Sequence, residues 1–178
     1  RDGSIWFTDP TYGILSDYEG YQAEPEQSGR NVFRIDRDTL HITCVADDFE
    51  QPNGLAFAPD GKTLYIADSA RSHDPDAAHH IRAMTVIDNC RLGESRVLTH
   101  IEPGIPDGLR VDVQGNIWTS AGDGVQCFDA NGVMLGKILL PETVANLTFG
   151  GPRRNQLFIT ANTSLYMIHV AVAGAQRP

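Results

Sequence analysis

Residues 51–61 read Gln-Pro-Asn-Gly-Leu-Ala-Phe-Ala-Pro-Asp-Gly, an apolar strand that opens on a bare amide, Asn53, and stops at a Pro-Asp-Gly turn. The same frame returns at Pro106-Asp107-Gly108-Leu109-Arg110-Val111-Asp112-Val113-Gln114-Gly115, where a carboxylate, Asp107, holds the position of Asn53. A third copy is read at Asn146, seven residues before Arg153, as Asn53 precedes Asp60 and Asp107 precedes Gln114.

A turn followed by an aromatic or aliphatic strand recurs in register behind these frames: RDGSIWFTD from Arg1, PDGKTLYIAD from Pro59, VQGNIWTSA from Val113 and RRNQLFITA from Arg153. Each continues into a further strand of β-forming residues: NVFRID, RAMTVID, GVQCFDANG and SLYMIHV. Between units lies one more short strand, ITCVAD or SRVLTHI, and the flanking glycines and repeat register make GVMLGKILL a strand as well. Four strands per unit, with anchors 54 and 39 residues apart, predict an all-β chain built as a β-propeller of four-stranded blades. About four blades are expected in residues 1–178, read as a single domain that is the C-terminal portion of a six-bladed parent of about 300 residues. An all-β solenoid or sandwich is the alternative. In a propeller, the residues that open the innermost strands meet at one rim of the central channel, so Asn53 and Asp107 converge.

Composition narrows the function. With 41% hydrophobic and 21% charged residues, the 178-residue chain can bury a core. A net charge of −9 opposes a broad grip on nucleic acid or an anionic membrane surface. No apolar run of about 18 residues is present, so no membrane-spanning helix is predicted. The compartment stays open between cytoplasm and periplasm, as does oligomeric state. Cys44, Cys90 and Cys127 are odd in number and far apart, fitting neither a disulfide framework nor a zinc cluster, and read as ordinary buried thiols. Ser69 and Ser120 lack a Gly-x-Ser-x-Gly elbow, which disfavours a serine hydrolase. The His73, Asp74, Asp76, His79, His80 cluster matches no standard zinc spacing and reads as a surface insertion.

Together QPNGLAFAPDGKTLYIADS, IPDGLRVDVQGNIWTSAGDGVQCFD and SIWFTDPTYG resemble the senescence marker protein, gluconolactonase and luciferin-regenerating enzyme family, nearest its bacterial gluconolactonases. The resemblance implies a six-bladed propeller with one divalent metal in the channel, held by a glutamate expected upstream of Arg1, by Asn53 and by Asp107. It assigns Asp107 the further, catalytic role of general base toward water. Calcium is the first expectation for the metal; zinc, magnesium and manganese also suit hard oxygen ligands. The implied activity is metal-dependent hydrolysis of a small sugar lactone. A non-sugar lactone or ester, as in paraoxonases, and a propeller that binds without chemistry are the alternatives.

As isolated pairs, Asn-Gly and Asp-Gly would read as turns; their shared register and the resemblance favour metal binding. Further candidates for substrate contact are Asp9 and Tyr12 in FTDPTYG, Glu19 in the long acidic loop between Tyr12 and Gly29, and Asn146. That loop reads as a lid, with Tyr18 and Tyr21 as added contacts. Asp68 reads as a local backbone partner at its strand end.

Overall fold

The computed structural model describes residues 2–175; Arg1, which opens the first repeat, lies outside them. The chain folds into four antiparallel sheets in chain order. The first holds β1 (Ile5–Asp9), β2 (Asn31–Ile35) and β3 (Ile42–Ala46). The second holds β4 (Pro52–Phe57), β5 (Thr63–Asp68), β6 (His80–Ile87) and β7 (Arg91–His100). The third holds β8 (Leu109–Val111), β9 (Ile117–Ala121), β10 (Gly124–Phe128) and β11 (Met134–Leu139). The fourth holds β12 (Val144–Gly150), β13 (Gln156–Ala161) and β14 (Leu165–His169). Four strands per unit therefore hold for the two middle sheets, and three strands pair in each outer one. The stretch around Gly136 forms β11, as its repeat register predicts. Among the described residues helix is confined to α1 (Tyr12–Leu15) and a single 3-10 turn (Ala70–Ser72).

Sheets bury their alternating apolar faces against one another. Trp6 and Val32 of the first sheet pack on Leu55, Leu64, Ile66 and Met84 of the second. Ala56, Tyr65, Ile81 and Ala83 of the second meet Leu109, Val111, Ile117 and Phe128 of the third. Val125 and Trp118 of the third close on Leu147, Leu157 and Ile159 of the fourth. Cys127 is buried, but Cys90 is half-buried and Cys44 exposed, which corrects the expectation of three buried thiols. Cys44 lies on β3, the outer strand of the first sheet, where much of the strand is solvated.

First strands of neighbouring sheets touch edge to edge at one end. The Gly54 amide donates to the Asp107 carbonyl at 3.0 Å, and the Gly108 amide to the Ala145 carbonyl at 2.8 Å. The Thr8 hydroxyl donates to the Asn53 carbonyl at 2.8 Å, extending the series to the first sheet. Backbones approach so closely that a Cβ on Gly54 would lie 2.2 Å from the Asp107 carbonyl oxygen, and one on Gly108 would lie 2.8 Å from the Asn146 Cα. Glycine is required at both positions by space.

Gly54→Ala and Gly108→Ala should each destabilise the chain by about 1–3 kcal/mol through overpacking. Gly136→Ala, where a Cβ meets nothing within 4 Å, should stay within about 0.5 kcal/mol. Urea unfolding of the three variants checks the contrast, and equal losses at all three would refute it.

Candidate functional site

Asn53 and Asp107 stand at this contact because β4 and β8 begin there. Leu55 pairs with Ile66, and Leu109 with Thr119. Two residues before each leucine stand Asn53 and Asp107, so the ladders put amide and carboxylate in one register. The Asn53 side chain hydrogen-bonds the Asp107 carboxylate.

The ladder corrects the third anchor. Leu147 pairs with Ile159 as Leu55 pairs with Ile66, so the residue in register with Asn53 and Asp107 is Ala145. Asn146 falls in the register of Gly54 and Gly108. The cause is the connection after β12, which puts seven residues between the paired Phe149 and Leu157, against six between Phe57 and Leu64 and five between Val111 and Ile117. Counting back seven residues from the turn therefore stops one residue short of Ala145. Asn146 is exposed, and its Oδ1 accepts from the Leu147 amide at 2.8 Å.

Asp107 is held by its backbone on every side. Its N–H donates to the Ser120 Oγ at 2.8 Å, its carbonyl accepts from Gly54, and the Ser69 hydroxyl donates to the preceding Pro106 carbonyl. Burial pushes its carboxyl up to about 6; the Asn53 hydrogen bond works against that shift, and the negative charge of Glu19 adds to it. Among the described residues no cationic side chain pairs with it.

Glu19 is exposed on the loop after α1, close enough for its charge to reach Asp107. Tyr18 and Tyr21 on the same loop are almost fully exposed. Tyr12, half-buried, donates to the Ser69 carbonyl at 3.0 Å, and its ring lies 5.5 Å from that of His73. Burial raises its phenol pKa, with the charges of Asp107 and Asp68 adding to the shift. Asp9 is half-buried at the end of β1, opposite Asn31. Asp68 accepts from the Glu50 and Gln51 amides at 2.9 and 2.8 Å, as a local backbone partner does.

The histidine-rich insertion splits. His73 turns to Tyr12, whereas His79 and His80 pack against His100 at 5.0 and 5.5 Å between ring centroids. The sequence signal tested at Ser69 and Ser120 concerns nucleophiles; no local motif marks a serine whose hydroxyl grips a peptide on another strand.

For a divalent cation, the fit rests on chemistry and burial. Asp107 and Asn53 present hard oxygen atoms side by side, and a half-buried carboxylate without a counter-charge favours a cation beside it. Among the described residues no group of three or more His, Cys, Asp or Glu side chains is placed to hold a metal ion. The pair thus fits as part of an oxygen shell.

Residues 1–163 match the family described as the SMP-30/Gluconolactonase/LRE-like region. The chain belongs to this family. Within it, the chain is 29% identical to a gluconolactonase of Zymomonas mobilis over 182 residues, covering 98% of this chain and 49% of that one. It is 32% identical to the pentonolactonase XacC of Haloferax volcanii over 138 residues, covering 76% and 46%. The solved structure of a gluconolactonase from Xanthomonas campestris superposes with a TM-score of 0.85 at 37% identity, covering 98% of this chain and 54% of that one. The chain spans about half the length of these curated relatives. No helix among the described residues is long and apolar enough to cross a membrane.

The raised Asp107 value carries a stability consequence. A carboxyl at about 6 when folded, against 3.8 when exposed, favours the protonated folded state. Its contribution is complete below about pH 4 and is lost as pH rises through 6. In the metal-free chain, Asp107→Asn should therefore raise stability by about 1–3 kcal/mol at pH 8 and by under about 0.5 kcal/mol at pH 4. Urea unfolding with chelator at both pH values measures this. An equal effect at both would place the carboxylate in water.

Proposed function

We propose that this chain carries part of a lactone-hydrolysing site of the gluconolactonase kind, acting on a small sugar lactone. The observation that carries the reading is Asp107, a half-buried carboxylate without a counter-charge, set against the Asn53 amide where two sheets meet. Relatives named gluconolactonase and pentonolactonase support the substrate class. We read the four sheets as consecutive blades of a β-propeller, stacked face to face with β4, β8 and β12 innermost. The C-terminal portion of a six-bladed ring is the arrangement proposed for the chain.

Asn53 and Asp107 would hold one divalent cation, calcium first, with zinc, magnesium or manganese as alternatives. A cation bound there supplies polarisation of the ester carbonyl. Asp107 takes the proton from a water as its oxygen bonds the carbonyl carbon, giving a tetrahedral adduct. The adduct collapses by breaking the ring C–O bond, the departing ring oxygen recovers that proton, and an aldonic acid results. A carboxylate whose ordinary low basicity is raised by burial suits this proton transfer better than an exposed one. Gln51, Pro52 and Pro106, all buried, keep bulk water from the back of the pair.

Asp9, Tyr12 and Glu19 are the proposed substrate contacts, Tyr12 with its phenol on the Asp107 side and Glu19 from the covering loop. Asn146, beside Gly108 and one residue out of the Asn53 register, is the proposed contact from the fourth sheet.

Gluconolactone hydrolysis followed by pH-stat, on the metal-stripped chain and after supply of each cation, tests the reading. Restored turnover that falls at least about 100-fold in Asp107→Asn is expected. Turnover unchanged by that substitution would remove Asp107 from the chemistry.

A further inference from the structure

We propose that Ser69 is a positioning residue that sets the Asp107 peptide from the neighbouring sheet; this rests on the reading of Asn53 and Asp107 as a shared cation site. Ser69 follows β5 in the second sheet and is fully buried. Its hydroxyl donates to the Pro106 carbonyl, across the boundary to the third sheet. The other end of the same peptide unit, the Asp107 N–H, donates to the buried Ser120 Oγ at 2.8 Å, from β9. Two serines from different sheets thus grip one peptide plane at its oxygen and at its nitrogen. A peptide held at both ends cannot rotate about its flanking bonds without breaking a buried hydrogen bond; with the Asp107 carbonyl also bound by Gly54, the direction of the Asp107 Cα–Cβ bond is set.

Ser69 reaches the partner ligand as well. Its N–H donates to the Gln51 carbonyl at 3.0 Å, two residues before Asn53. Its carbonyl accepts the Tyr12 hydroxyl at 3.0 Å, from α1 at the start of the long acidic loop. One residue therefore bonds the strand of Asn53, the strand of Asp107 and the entrance of the loop. Asp68, immediately before it, fixes the Glu50 and Gln51 amides within its own sheet, whereas the Ser69 hydroxyl crosses to the third. Ser69 touches no reacting atom in this arrangement; its effect passes through backbone.

The test compares wild-type chain with Ser69→Ala, Ser69→Thr and Ser120→Ala by two readouts. Calorimetric titration of the metal-stripped proteins with calcium, and then with manganese, should show affinity lowered at least about tenfold in Ser69→Ala and in Ser120→Ala. Ser69→Thr, which keeps the hydroxyl, should restore it. Amide exchange of the metal-free proteins should be faster by about tenfold or more at Gly54 and Asp107 in Ser69→Ala, with the amides of β10 unchanged. Wild-type affinity together with wild-type exchange in a folded Ser69→Ala would overturn the proposal. If Ser69→Ala does not fold, Ser120→Ala decides, because it releases the same peptide from the other end. If the wild-type chain binds neither cation, the shared-site reading falls. The clamp is then judged on exchange alone: faster exchange at Gly54 and Asp107 supports it, and unchanged exchange overturns it.

Discussion

The hydrogen bond from the Gly54 amide to the Asp107 carbonyl, made at a distance that leaves no room for a side chain at Gly54, is the constraint on which the site depends. It fixes the second sheet to the third at one end of β4 and β8. Because Asn53 and Asp107 are the adjacent residues, it also delivers an amide and a carboxylate to one place. The bond repeats from Gly108 to Ala145, so the geometry belongs to the fold. Only two of these three equivalent positions carry oxygen-bearing side chains. The packing that holds the sheets in this relation comes from the apolar layers between them, chiefly Leu109, Val111 and Ile117 against Ala56, Tyr65 and Ile81.

Against this packing stands an electrostatic conflict. Burying a carboxylate without a counter-charge is unfavourable, and Asp107 shows it in a carboxyl raised to about 6. Nearby acids respond differently. Asp112, fully buried, accepts from the amides of Gln114 and Asn116 and from the Trp118 indole; Asp68 takes two backbone amides. Their charges are answered by donors and knit turns and strand ends. Asp107 receives the Asn53 amide and sees the further negative charge of Glu19, which increases the conflict. A residue that destabilises its own fold while its neighbours are satisfied is what a binding function leaves behind.

Much of this was legible in the sequence. Alternation of apolar residues and recurrent Asp-Gly and Gln-Gly turns mark the repeated strands, and the paired frames at Asn53 and Asp107 put both residues in one register from sequence spacing alone. Asn146 was misplaced because spacing was counted through a turn, and turn length is free to vary where ladder register is not. The peptide clamp leaves no local sequence pattern because the Ser69 hydroxyl bonds across to the next sheet and the Ser120 hydroxyl across to the neighbouring strand. Cys44 was read as buried from its residue type, whereas exposure followed from its place on the outer strand. The separation of His73 from His79 and His80 likewise follows from the path of the insertion between β5 and β6, which residue types do not specify.

The most direct test of the central claim, that Asn53 and Asp107 share one cation, is anomalous diffraction from crystals of this chain grown with manganese. The account predicts a peak within about 2.5 Å of both an Asp107 carboxylate oxygen and the Asn53 Oδ1. A manganese peak elsewhere on the molecule, with none between these two side chains, would contradict it.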